Sequence, residues 1–126
     1  MYNVKIIESS KELTKREVLK MKDTTNTLSI DELIKDGEDA SFIITPVDYV
    51  ILSIECDKFD GEEKTARNII VIDKEDKKYR TGSSSFIEAF INIYDEMRGE
   101  EEYEIEIYKV PSKNYKSKYF ITCSII

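Results

Sequence analysis

Apolar and polar residues alternate at two different spacings along this chain, and these spacings predict where helices and strands lie. Between residues 83 and 97, apolar side chains recur three, four and seven positions apart, which predicts a helix with a broad buried stripe. Ser85 and Glu88 have the spacing of a capping box at its start, and Gly99 is expected to end it. The stripe consists of Phe86, Ala89, Phe90, Ile93 and Met97, widened by Ile87, Ile91 and Tyr94.

Runs of β-type residues lie on both sides of this helix. Residues 41–56, 66–73 and 78–81 precede it, and residues 103–110 and 118–126 follow it. Pro46 interrupts the first run because proline cannot donate to a sheet ladder, so one long bent strand and two short strands fit equally well. In the last run, Tyr119, Ile121, Cys123 and Ile125 form one apolar face. Phe120 then points outward, as a satellite core residue or as an exposed aromatic platform.

The N-terminal region is predicted to contain short elements. Residues 2–7 could form a short strand. Thr14 with Glu17, and Ser29 with Glu32, have the spacing of capping boxes and predict two short helices. In the first helical segment Lys11, Lys15, Arg16, Lys20 and Lys22 outnumber the acidic residues Glu12, Glu17 and Asp23. A solvated helix face is the ordinary interpretation, and a second phosphate-contacting surface is the alternative.

Five strands with one helix between the third and the fourth is the order of the oligonucleotide/oligosaccharide-binding (OB) barrel. We therefore expect a mainly β (α+β) single domain over residues 1–126. It would comprise a helical N-terminal extension, 1–35, and a five-stranded OB-like core, 41–126. A generic α+β sheet with the same elements is the alternative.

Charge is distributed unevenly along the chain. The 19 Lys and Arg against 26 Asp and Glu give a net charge of -7 in 126 residues. Residues 107–126 contain four lysines and no acidic residue, so the remaining 106 residues carry 15 minus 26, or -11. An acidic body repels a polyanion at long range, whereas its last twenty residues would attract one.

Several kinds of chemistry are absent from the sequence. The chain has no histidine and no CxxC motif, which excludes a His-dependent triad and a zinc site. Cys56 and Cys123 lie in apolar runs and are expected to be small buried hydrophobic residues of a protein in a reducing cytoplasm, with a disulfide or a reactive thiol as the alternative. The pairs Asp57 with Asp60, and Asp73 with Asp76, are better explained as turn formers than as cation ligands. We expect a cytoplasmic protein without catalytic activity, cofactor, metal or membrane segment.

Aromatic and basic residues are interleaved near the C-terminus and on the third strand. Single-stranded nucleic acid is bound by such mixtures, since bases stack on aromatic rings while Lys and Arg contact phosphates. The candidate contact residues are Lys78, Tyr79, Arg80, Tyr108, Lys109, Lys113, Tyr115, Lys116, Lys118 and Phe120.

Three segments, LTKREVLKMK, YRTGSSSFIEAFINIYDEM and PSKNYKSKYFITCSII, resemble small single-stranded DNA-binding proteins of bacteriophages and mobile elements of Gram-positive bacteria. The resemblance implies an OB-type barrel that coats single-stranded DNA during replication or recombination. It implies contact through Tyr79, Arg80, Lys113, Tyr115, Lys116, Lys118 and Phe120. Replication or recombination proteins and further copies of the chain are the expected partners.

Two features separate this chain from that pattern. Many single-stranded DNA-binding proteins end in an acidic tip that recruits partners, whereas this chain ends in the apolar ITCSII. The net negative charge also favours a different class, an acidic protein-binding module such as a phage inhibitor of a host factor. The basic last hairpin opposes that alternative.

Overall fold

The computed structural model describes residues 3–23, 27–34, 41–59, 62–100, 102–111 and 119–126. In chain order the elements are β1 (Asn3–Ser9), α1 (Lys15–Lys22), β2 (Leu28–Ser29), α2 (Ile30–Leu33), β3 (Ser41–Ile44), β4 (Pro46–Phe59), β5 (Glu62–Asp73), β6 (Lys78–Thr81), α3 (Ser84–Glu96), β7 (Ile105–Pro111) and β8 (Tyr119–Ile125).

The strands form two sheets. Sheet A has the strand order β1-β4-β5-β6-β2, and sheet B has the order β3-β7-β8. All neighbouring strands are antiparallel except β2 and β6, which are parallel. The predicted mainly β fold, with a helix between the strands at 78–81 and 105–111, is confirmed. The five-stranded OB-like barrel is not confirmed, because the described strands remain in two sheets without closing.

Pro46 is where the chain passes from one sheet to the other. Residues 41–44 pair with β7 in sheet B, whereas the strand that begins at Pro46 pairs with β1 and β5 in sheet A. Two strands are therefore present, and they belong to different sheets. Because proline has no N–H for a continuous ladder, its position suits this change of partner.

Sheet A is covered on both faces. Val50 and Leu52 pack with Met21 of α1 on one side, and Tyr49 and Ile51 pack with α3 and sheet B on the other. The alternation in this strand predicts one buried face, but both faces are buried here. A second layer of protein on each side of β4 is the physical reason.

Helix α3 lies in the core that the two sheets share. Phe86, Phe90, Ile121 and Cys123 are buried in one cluster and Ile93 packs against it, so the predicted apolar stripe of the helix meets the predicted apolar face of the last strand. The helix packs against β8 and β5 instead of filling a barrel. Ile125, predicted to share the apolar face of β8, is 45% exposed.

The predicted C-terminal end of α3 agrees with the structure, whereas the predicted N-cap does not. Ser83, and not Ser85, is the N-cap, and its hydroxyl accepts a hydrogen bond from the Phe86 amide at 3.4 Å. The predicted Ser85–Glu88 capping box is wrong, because Ser85 lies inside the helix and bonds to β8. Gly99 has a φ of 87°, the left-handed conformation expected after the helix.

The N-terminal region is part of sheet A. The predicted Thr14–Glu17 capping box is confirmed, with both reciprocal hydrogen bonds at 3.1 and 3.2 Å. Ser29 caps α2 by accepting from the Glu32 amide at 3.4 Å. Residues 1–35 were expected to form a helical extension, but β1 pairs with β4 and β2 pairs with β6. Long-range pairing thus incorporates this region into the sheet.

Candidate nucleic-acid interface

The ten predicted contact residues do not form one surface. Lys113, Tyr115, Lys116 and Lys118 lie outside the described residues. The other six are on three strands: Lys78, Tyr79 and Arg80 on β6, Tyr108 and Lys109 on β7, and Phe120 on β8.

The outer face of sheet B is the surface that points away from the core. Side chains alternate between the two faces of a strand, and in sheet B the inward set includes the buried Ile44, Ile105, Ile107, Ile121 and Cys123. The outward set consists of Ser41, Ile43, Glu106, Tyr108, Val110, Phe120, Thr122 and Ser124. Two of the predicted aromatic residues, Tyr108 and Phe120, therefore share this face.

The register of β7 and β8 fixes how the two aromatic residues are placed. Val110 is opposite Phe120, and Tyr108 is opposite Thr122, so Tyr108 and Phe120 are diagonal neighbours across one strand pair. The Tyr108 hydroxyl and Ser124 Oγ are 2.6 Å apart and form a hydrogen bond. This bond directs the Tyr108 side chain toward Ser124, on the other diagonal from Phe120, which is 41% exposed.

An exposed isoleucine extends the apolar part of this face. Ile43 on β3 is 53% exposed and is opposite Glu106. The Ser41 hydroxyl donates to Glu106 Oε2 at 3.3 Å, which holds that carboxylate on the same face. Ile43 was not a predicted contact residue. Its outward direction follows from the alternation of Phe42 and Ile44 toward the core, which the continuous apolar run 42–44 does not reveal by itself.

Lys109 lies on the opposite side of β7 from Tyr108. It alternates with Tyr108 and therefore shares the face of the buried Ile107. Lys109 therefore does not share the outer face with Tyr108 and Phe120, and its contact with nucleic acid stays a prediction. Glu106 is the only charged side chain among the described residues of the outer face.

Tyr79 is inside the protein. Its side chain is 7% exposed, its hydroxyl donates to Asp73 Oδ2 at 3.3 Å, and its ring centroid is 5.6 Å from that of Phe42. Burial, and then the Asp73 carboxylate, raise the pKa of Tyr79 above its usual value. The ring cannot stack on a base in this structure, which corrects the prediction for Tyr79.

Lys78 and Arg80 face the side of sheet A that α1 covers. They alternate with Tyr79 and are opposite Ile72 and Ile70, which pack in the cluster with Met21. Lys78 Nζ is 3.7 Å from Asp76 Oδ2, and the Arg80 Nε donates to Thr27 Oγ1 at 3.2 Å. Sheet A thus separates these two cations from the outer face of sheet B.

Asp73 and Cys123 are a predicted turn residue and a predicted core residue whose side chains the structure describes. Asp73 Oδ1 accepts from the amides of Glu75 and Lys77, each at 2.9 Å, as expected of a turn former. Asp60 and the side chain of Asp57 lie outside the described residues, as does the side chain of Cys56. Cys123 is 5% exposed, and burial raises the pKa of its thiol to about 12. Within the described ranges, no three Cys, Asp or Glu side chains are grouped to hold a metal ion.

Two clefts meet beside the end of α3. Their volumes are about 250 and 440 Å³, and both are lined by Met97, Glu102 and Tyr103. Tyr103 Oη is buried without a hydrogen-bond partner, and burial raises the pKa of Tyr103 to about 12. Such a tyrosine is a poor proton donor or acceptor at neutral pH.

The chain was compared with protein-family models, curated proteins and solved structures, and none of them matches it. The resemblance to phage single-stranded DNA-binding proteins therefore stays a prediction. No helix in the described ranges is long and apolar enough to cross a membrane.

Proposed function

We propose that this protein binds single-stranded DNA without turning it over, and that the bases stack on the outer face of sheet B. The observation that carries the proposal is the placement of Tyr108 and Phe120 on one exposed face of adjacent strands. Aromatic side chains on a sheet accept unpaired bases of any sequence, because every base has a flat face. Double-stranded DNA keeps its bases stacked inside the helix, so it would gain little from this surface.

The phosphates of the strand need cations that the sheet itself does not supply. Four basic or aromatic candidates, Lys113, Tyr115, Lys116 and Lys118, are in the sequence that joins β7 to β8. Along the chain this sequence directly precedes Tyr119 and Phe120 of β8. Lysines in that segment would contact phosphates while the sheet binds bases. We place this activity in the cytoplasm, on strands that several copies of the protein coat together.

Fluorescence anisotropy with labelled dT and dA oligomers and a duplex control tests the proposal. Tyr108→Ala and Phe120→Ala should each weaken binding to single strands by ~1 to 3 kcal/mol, since each removes a stacking partner. Tyr108→Phe is the matched control, because it keeps the ring and removes only the hydroxyl that bonds to Ser124. Single-strand affinities that are equal in the parent and both alanine variants would exclude the outer face as the site.

A protein-binding module is the second candidate function. One observation favours it: the outer face contains the carboxylate of Glu106 and two apolar side chains, Ile43 and Phe120, that are each more than 40% exposed. A protein partner with an apolar centre and a basic rim fits such a surface. If the parent chain binds neither dT nor dA oligomers at low salt, this function replaces the first.

A further inference from the structure

The outer surface of α1 is rich in basic side chains, which belong neither to the core nor to the proposed stacking face. The eight residues 15–22 contain four basic side chains and one acidic side chain, a net charge of +3 in a chain whose total is -7. The remaining 118 residues therefore carry -10. Helix α1 therefore has a net charge opposite in sign to that of the rest of the protein, and this difference needs an explanation.

The four cations are on the solvent side of the helix. Lys15, Arg16, Lys20 and Lys22 are all exposed, and together with Leu19 they occupy one continuous arc of the helix surface. The opposite arc contains Met21, which is 2% exposed and packs on Val50 and Leu52 of sheet A. We call Lys15, Arg16, Lys20 and Lys22 the cationic ridge.

The ridge is not neutralised within the described part of the chain. Of the ion pairs formed there, none includes a ridge residue. The neighbouring cation Lys11 is different, because it pairs with Glu17 at 3.1 Å and with Asp48 at 3.8 Å. Charges of the ridge are therefore free to attract an anion from solution.

A small cleft of mixed charge connects the ridge to sheet A. Its volume is about 70 Å³, and Lys20 lines it together with two ion pairs, Lys11 with Glu17 and Lys78 with Asp76. Arg80 projects from the same face of β6 as Lys78, two residues further along. Lys78 thus lies beside Lys20 of the ridge, and Arg80 is on the same face of sheet A.

We infer that the cationic ridge of α1 is a second contact surface for the phosphates of single-stranded DNA, on the far side of sheet A from the stacking face. The inference rests on the proposed function. A polyanion fits best because four separate cations along one helix match repeated phosphates. An anionic lipid surface fits less well, since Met21 packs on sheet A, Val18 is half-buried, and Leu19 is the one largely exposed apolar residue of α1 that could enter a bilayer.

The test compares two variants that each lose two positive charges. Arg16→Gln with Lys20→Gln removes half of the ridge and keeps helix-forming residues. Lys74→Gln with Arg98→Gln is the control, because both side chains are exposed and lie near the clefts at the end of α3. Each variant has a net charge of -7 minus 2, or -9. The measurement is the log-log salt dependence of dT-oligomer binding by anisotropy.

The ridge variant should show a salt slope that is shallower by roughly 1.4, since each phosphate contact on a single strand contributes about 0.7. The control variant should keep a slope close to that of the parent. Equal slopes for the two variants overturn the inference. So does binding of the parent to phosphatidylglycerol vesicles that the ridge variant loses while its oligomer binding is unchanged.

The outcomes also separate this inference from the proposed stacking face. If Phe120→Ala weakens binding and the ridge variant behaves as the control, the stacking face stands and the ridge is excluded. If the ridge variant alone weakens binding, the ridge stands and the stacking face is excluded. If the parent chain binds no oligomer at low salt, both the stacking face and the ridge are excluded as DNA-binding surfaces.

Discussion

The hydroxyl of Ser85 donates a hydrogen bond to the carbonyl oxygen of Ile121 at 2.7 Å. Ser85 is in the first turn of α3, and Ile121 is in β8, the edge strand of sheet B. A carbonyl on an edge strand has no strand partner on its open side and could pair with another chain. The first turn of α3 satisfies this carbonyl and fixes the helix to the edge of the sheet.

Ser85→Ala should lower the free energy of unfolding by about 1 kcal/mol, because it removes the part-buried hydrogen bonds of this hydroxyl to the Ile121 carbonyl and to Ser83 Oγ. Ser84→Ala is the matched control, since Ser84 is exposed in the same helical turn. Urea denaturation followed by circular dichroism measures both variants. An equal loss in the two variants would contradict a contribution of the bond to Ile121, because the higher helix propensity of alanine does not lower stability at either position.

Phe90→Ala should lower the free energy of unfolding by roughly 3 to 5 kcal/mol, because Phe90 is fully buried between the two sheets and its removal leaves a cavity. Phe120→Ala is the comparison, and its loss should stay below about 1 kcal/mol because Phe120 is on the outer face of sheet B and 41% exposed. Denaturant melts of the two variants decide this. A loss within about 0.5 kcal/mol for Phe90→Ala would place the helix on the surface.

Asp73→Ala should destabilise the protein by about 2 kcal/mol. The carboxylate accepts hydrogen bonds from two backbone amides in the β5–β6 turn and from the buried Tyr79 hydroxyl. Asp73→Asn should cost less, because the amide keeps an acceptor oxygen for the turn and can donate to Tyr79. Thermal melts rank the three proteins, and an asparagine variant as unstable as the alanine variant would argue against hydrogen bonding as the cause.

Cys123 should be unreactive toward a soluble disulfide reagent at pH 8 while the protein is folded. Burial raises the pKa of its thiol from 9.0 to about 12, and only the thiolate is nucleophilic. Measurement in a Cys56→Ser background isolates this thiol, which should react at once after unfolding in guanidinium. Rapid reaction in the folded state would contradict the buried position of Cys123.

The same shift in pKa predicts a loss of stability in alkali. The folded pKa is above the unfolded pKa, so the contribution is fully present below about pH 9 and is lost as pH rises toward 12. Tyr49, whose pKa burial raises to about 12, acts in the same direction. Urea midpoints should therefore fall between pH 9 and 11 in the parent. Cys123→Ala should flatten this fall.

Structural elements that are determined by residues close together in the sequence could be predicted from it. The spacing of apolar residues located α3, the pair Thr14 and Glu17 located the start of α1, and Gly99 marked the end of a helix. The outward direction of Phe120 followed from alternation along β8. These features are local, because a helical turn, a cap or an alternating strand involves residues only a few positions apart.

Tertiary structure alone decided which strands pair and which faces remain exposed. Pro46 marked a break, but only pairing with β7 on one side and with β1 and β5 on the other placed the two halves in different sheets. Tyr79 and Phe120 are similar as aromatic residues in strands, yet packing against Phe42 and Asp73 buried one while the other faces solvent. Lys78 and Arg80 came to lie beside α1 because Tyr79 turned inward. Burial and strand register arise from contacts between distant residues, and a local pattern does not contain the choice of partner.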